Sequence, residues 1–83
     1  MNAQLIHEAE LNVMGMRVEE ALRELDRFID RAIVQGMPKV RVLHGIGTGR
    51  LMNAIEDHLS EAAYVRSVKR DEKNSGVTIV DLL

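Results

Sequence analysis

Val40-Arg41-Val42-Leu43-His44-Gly45-Ile46-Gly47-Thr48-Gly49-Arg50-Leu51-Met52-Asn53-Ala54-Ile55 is the stretch that decides the fold. Its first four residues are compact and β-branched, the composition of a buried strand. Its end places Leu51, Met52 and Ile55 at helical steps, and Leu59 continues the same face to about Glu61. Three glycines at alternate positions join the two segments. A strand that passes through a glycine turn into a helix is the opening half of a βαβ unit.

Upstream, Leu11-Asn12-Val13-Met14 is a short apolar run closed by Gly15, which suits a strand leading into a turn. Val18, Ala21, Leu22, Leu25, Phe28, Ile29, Ala32 and Ile33 then recur at three- and four-residue steps, the mark of an amphipathic helix. Glu19 and Glu20 occupy its first turn, where the helix dipole favours negative charge. Gly36 supplies a left-handed cap and Pro38 blocks continuation. Downstream, Tyr64, Val65 and Val68 suggest a third strand and Val77-Thr78-Ile79-Val80 a fourth. The polar segment from Asp71 to Gly76 joins them as an antiparallel hairpin. The order is βαβαββ. The expected fold is an α/β two-layer sandwich, with a four-stranded mixed sheet, strands one to three parallel, and both helices on one face. Residues 1–8 carry no pattern and read as a flexible N-terminal segment before a domain spanning 9–83.

The 83 residues make one domain with a small core, and apolar residues at 46% are ordinary for a globular chain. With no cysteine there is neither a disulfide framework nor a thiolate metal site. That composition fits a reducing cytoplasm. No apolar run approaches the roughly 18–20 residues needed to cross a membrane. Net charge is −2, which argues against a strongly basic nucleic-acid binder. The charge is uneven, however. Residues 1–36 hold seven acids against four arginines, and residues 37–83 hold seven bases against six acids. An anion-binding face belongs in the second half.

Glycine permits positive φ and close backbone approach to a ligand. Amides at a helix N-terminus, helped by the dipole, form an anion site, and phosphate is the obvious anion. Arg50 stands just past the loop and can add a charge-assisted contact. The plainer alternative is a tight turn with Thr48 as N-cap. The glycine spacing matches neither G-x-G-x-x-G nor the P-loop, so dinucleotide and ATP binding are not indicated. His44 ends the second strand at the carboxyl edge, where open α/β sheets place ligands. There it can donate to phosphate or act as a general acid or base, or it can be a structural histidine bonded to nearby backbone. His58 reads as the solvated side of the second helix, and His7 lies in the N-terminal segment. No cluster of histidines or carboxylates has metal-ligand spacing, while a loosely held Mg2+ between carboxylate and substrate phosphate leaves no such signature.

The loop H-G-x-G-T-G before a helix, the leading L-x-V-x-G-x-R over Leu11–Arg17 and the closing S-G-V-T-I-V over Ser75–Val80 resemble the Smr (small MutS-related) family. The likeness covers residues 10–82 and is greatest to the C-terminal domain of bacterial type-2 MutS proteins. It implies the βαβαββ sandwich, nucleic-acid binding and, in several members, nicking of DNA or RNA with little sequence preference. It also implies a longer MutS-related chain as partner, acting in recombination control, DNA repair or on stalled ribosomes. The candidate catalytic set is His44 and Arg17, carried over from the family's motif, and Asn12, which stands at the position of the motif's aspartate. The candidate nucleic-acid-binding set is Gly45, Gly47, Thr48, Gly49 and Arg50. No tightly bound cofactor is expected, with Mg2+ open as a requirement for cleavage. Where the family commonly has L-D-[LV]-[RH]-G, this chain has Asn12 and Met14, and Ile46 stands where many relatives carry lysine. Each change removes charge useful to phosphate chemistry. The functional classes are therefore a nicking endonuclease, a phosphate-backbone-binding module without chemistry, and a protein-interaction domain whose loop is structural.

Overall fold

The computed structural model describes residues 9–83; the expected N-terminal segment, 1–8, lies outside the described residues. The elements are β1 (Ala9–Asn12), α1 (Val18–Val34), β2 (Lys39–Leu43), α2 (Arg50–Ser60), β3 (Val65–Arg70) and β4 (Val77–Leu82). The βαβαββ order expected from the hydrophobic periods is the one observed. The sheet runs β1-β2-β4-β3, with β1 parallel to β2 and β4 antiparallel to both β2 and β3. Strands β1, β2 and β3 therefore share a direction, and β4 returns between β2 and β3. The β3–β4 hairpin is the antiparallel one expected from the turn at Asp71–Gly76.

Alternation along the strands separates two faces. Val40 and Val42 of β2 pair with Val80 and Thr78 of β4, and these inward positions are buried. Ala21, Leu25, Phe28, Ile29 and Ala32 of α1 and Ile55 and Leu59 of α2 close one cluster with them. Both helices thus cover a single face, the two-layer solution for an amphipathic sheet. The other face carries charge. Arg41 reaches Glu10 at 3.1 Å and Asp71 at 2.9 Å, linking β1, β2 and the β3–β4 turn.

Several boundaries differ from the sequence reading, each for a local reason. β1 is Ala9–Asn12 rather than 11–14, because the Asn12 side chain turns the backbone by accepting the Met14 N–H at 2.9 Å. Val13 still donates to the Leu43 carbonyl and is fully buried, so the expected apolar run is half strand and half turn. β3 starts at Val65, after a turn in which the Val65 N–H bonds the Ala62 carbonyl, so Tyr64 precedes the strand. Gly36 takes the expected left-handed φ of +73° past α1. Thr48 is not the N-cap of α2. That position belongs to Gly49, at φ +83°, a conformation that a β-branched threonine avoids. The Thr48 hydroxyl instead accepts the Arg50 N–H at 3.3 Å.

Candidate phosphate-binding loop

The loop from His44 to Gly49 leaves the carboxyl end of β2, beside the start of β4. Its base is anchored there. The amides of His44 and Gly45 both donate to the Gly76 carbonyl at 3.0 Å. This close approach favours glycine at 76, since a Cβ there would stand 3.1 Å from the Cα and carbonyl carbon of Gly45 and would press on that backbone. Gly45, at φ +82°, then turns the chain outward. The Gly45 amide, one of the expected phosphate donors, is thereby engaged within the protein, and Gly45 contributes shape. Among the described residues, no protein acceptor serves the amides of Ile46, Gly47, Thr48 and Gly49. The open donors are those at the tip of the loop.

His44 is 5% exposed, on the helix-covered face of the sheet. Its Nδ1 lies 2.9 Å from the Gly45 carbonyl, which can only accept, so Nδ1 carries a proton. Its Nε2 lies 2.8 Å from the Thr78 hydroxyl, and that hydroxyl also makes a longer 3.4 Å bond to Glu56. Glu56 is held in turn by Arg70 at 3.2 Å. Both ring nitrogens therefore have protein partners, and the ring ties the loop to β4 and α2. Thr78 and Glu56 were absent from the expected site residues. Their signal is Thr78 itself, a hydroxyl at an inward position of an apolar strand, which needs a buried partner.

Arg17 is the N-cap residue of α1, extended at φ −71° and ψ 155°, and its side chain is exposed. It lines a groove of about 680 Å³ together with Thr48, Arg50 and the first turns of α1 and α2. The fold thus brings Arg17, Thr48 and Arg50 together beside the open amides. A smaller concavity is formed by Gly15, His44 and the loop itself. Asn12 is not brought into either. It falls on the helix-free side by strand alternation, paired in register with Leu43, and its side-chain oxygen is occupied by the Met14 N–H. His58 is not simply solvated as expected. Its Nε2 stands 2.8 Å from Asp26, joining α2 to α1 away from the loop.

Among the described residues, no group of three or more histidines or carboxylates could hold a metal ion. With an amide at position 12 as well, the donor set does not fit a resident Mg2+, and the roles assigned below do not pass through one. Among the described residues, no helix is long and apolar enough to cross a membrane.

Residues 11–83 match the family model described as the Smr domain. Among curated relatives, Endonuclease MutS2 of Anaeromyxobacter sp. (strain Fw109-5) is 45% identical over 78 residues, covering 90% of this chain and 10% of its own length. Endonuclease MutS2 of Thermomicrobium roseum is 46% identical over 78 residues, with the same coverage. The chain thus spans about a tenth of the length of the curated relatives it matches. Among solved structures, the Smr domain of Thermus thermophilus MutS2 superposes with a TM-score of 0.86 at 37% identity, covering 90% of this chain and 98% of that one. YdaL, a stand-alone small MutS-related protein of Escherichia coli, gives 0.83 at 25% identity, covering 89% and 63%. With the βαβαββ sandwich, the glycine loop after β2 and a family match over almost the whole length, this chain belongs to the Smr domain family.

Proposed function

We propose that this domain binds the phosphate backbone of nucleic acid through the tip of the loop His44–Gly49, with Arg17 and Arg50 supplying positive charge. What carries the reading is the meeting of four open amides, Ile46 to Gly49, with two exposed arginines at the N-terminus of α2. Backbone amides and a helix dipole favour an anion without reading bases, so binding should be sequence-neutral. His44 is assigned to holding the loop, because both its nitrogens already have partners. In a longer MutS-related chain the domain would seat the remainder on its substrate, and the lack of cysteine agrees with a cytoplasmic setting.

The test is fluorescence anisotropy with labelled DNA and RNA across a salt series. Each phosphate contact contributes roughly −0.7 to −0.9 to the slope of log affinity against log salt. Arg17→Ala and Arg50→Ala should each flatten the slope by about that amount. Failure of both DNA and RNA to bind at low salt would end this reading.

A second reading, nicking of DNA or RNA as an endonuclease, is favoured by the name of the relatives, Endonuclease MutS2, at 45–46% identity. It is tested by plasmid and RNA cleavage with and without Mg2+, comparing the unaltered chain with Asn12→Asp. Cleavage that appears only with the carboxylate would assign the chemistry to position 12.

A further inference from the structure

Two apolar side chains adjoin the loop and have no part in the core. Ile46 at the tip is 80% exposed and Met14 is 51% exposed. The Met14 side chain lies along the loop: a Cβ placed on Gly45 would be 3.1 Å from Met14 Cγ and 3.2 Å from Sδ. Isolated exposed apolar residues are ordinary on a protein surface. These two, however, flank the same glycine, and the neighbouring groove presents Arg17 and Arg50. Met14 and Ile46 thus set an apolar edge beside a groove that carries Arg17 and Arg50 together with Glu19.

A nucleotide likewise has an anionic phosphate on one side of the sugar and the apolar face of a base on the other. In an intact duplex the base faces are stacked and only phosphate is offered. In an unpaired nucleotide the base face is free, and aliphatic side chains can bury apolar area against it. We propose that Met14 and Ile46 form a base-contacting edge beside the phosphate loop, so that this domain prefers unpaired nucleotides to intact duplex. The inference rests on the phosphate-binding reading and adds the substrate class. Neither side chain has a strong hydrogen-bond donor or acceptor directed at base edges, so the preference carries no sequence discrimination.

The experiment compares a labelled oligothymidylate with a duplex of equal length, binding to the 83-residue chain at matched salt. Met14→Ala/Ile46→Ala should weaken single-strand binding about fivefold, the order expected from partial burial of two aliphatic side chains. Its loss on duplex should be smaller, and the salt slope should stay unchanged. A 2-aminopurine placed in the strand should change brightness on binding to the unaltered chain and much less with the double variant. Equal losses on both substrates, no loss on either, or a preference for duplex in the unaltered chain would overturn the proposal while leaving phosphate binding in place. A monomer–dimer change on sedimentation in the double variant would overturn it too, since the edge would then belong to a second copy of the chain. Absence of all binding would remove the phosphate reading and this one with it.

Discussion

Thr78→Val removes one hydroxyl from the centre of the sheet and keeps the β-branched shape. Thr78 has no exposed surface, and its Oγ1 is 2.8 Å from Nε2 of a histidine that is itself 5% exposed. The variant therefore leaves a buried ring nitrogen without a partner, and water cannot replace the hydroxyl unless the loop opens. An orphaned buried polar group costs about 1–3 kcal/mol. At roughly 2 kcal/mol, and about 4–8 °C per kcal/mol for a domain of this size, the melting temperature should fall by about 8–16 °C. Calorimetry or urea unfolding measures this directly. The loss should be coupled to the ring, so in a His44→Phe background Thr78→Val should cost much less than in the unaltered chain. The amide resonances of residues 44–49 should shift as well, because the ring that ties the loop to β4 has lost one anchor. A cost below about 0.5 kcal/mol, or the same cost in both backgrounds, would refute the buried connection from β4 to the loop.

Gly76→Ala places a methyl against the Gly45 backbone at 3.1 Å, so it should cost about 1–3 kcal/mol by overpacking and perturb the His44 and Gly45 amides, read by thermal melts and amide exchange. Ile46→Lys should steepen the salt slope by roughly 0.7–0.9 and tighten binding to duplex, since it adds a cation at the loop tip; an unchanged slope would place the tip away from phosphate. Asn12→Asp keeps the acceptor that holds the Met14 N–H, so its melting temperature should stay close to that of the unaltered chain while cleavage is assayed. Asp71 lies below the usual carboxylate range, held there first by the Lys73 backbone N–H and then by Arg41. A depressed carboxyl stabilises the folded chain above its unfolded pKa, near 3.9, and that contribution is lost as pH falls through the lower folded value. Asp71→Asn should therefore lower the melting temperature at neutral pH, and the difference should close in acid.

The local features were legible in the sequence, and the missed ones depend on distant partners. Periods of 3.6 and 2 give both helices and the existence of all four strands, and the alternate glycines mark the turn into α2. Arg17 and Arg50 share a groove, which only the packing of α1 against α2 brings about. Asn12 shows how a polar residue sets a boundary. It is the last residue of β1, and its side-chain oxygen accepts a backbone amide two residues on and ends the strand before Val13 and Met14. The return of β4 between β2 and β3 is a matter of long-range pairing, which no local pattern encodes. The Asp26–His58 bond has the same origin, joining residues 32 apart that only helix packing brings together. Gly76 reads locally as a turn residue, whereas its carbonyl accepts two amides of the glycine loop.

That last contact bears on the choice between binding and cleavage. The Gly76 carbonyl draws the His44 and Gly45 amides into the sheet, and Thr78 and the Gly45 carbonyl fix the His44 ring beneath them. The base is thus tied to the sheet while, among the described residues, the tip amides have no protein acceptor, an arrangement that suits the proposed anion contact. The same bonds occupy the one histidine near the loop among the described residues. A general acid must reach the leaving oxygen within hydrogen-bond range, and a ring that is buried and bonded at both nitrogens reaches it only if the Thr78 or Gly45 bond breaks. Cleavage would therefore need either movement at the loop's base or a carboxylate at position 12, where the family commonly carries aspartate and this chain carries Asn12. Binding needs neither. The proposed phosphate contact therefore asks less of the loop than cleavage does, and a gain of nicking in Asn12→Asp is the result that would trace the difference to a single side chain.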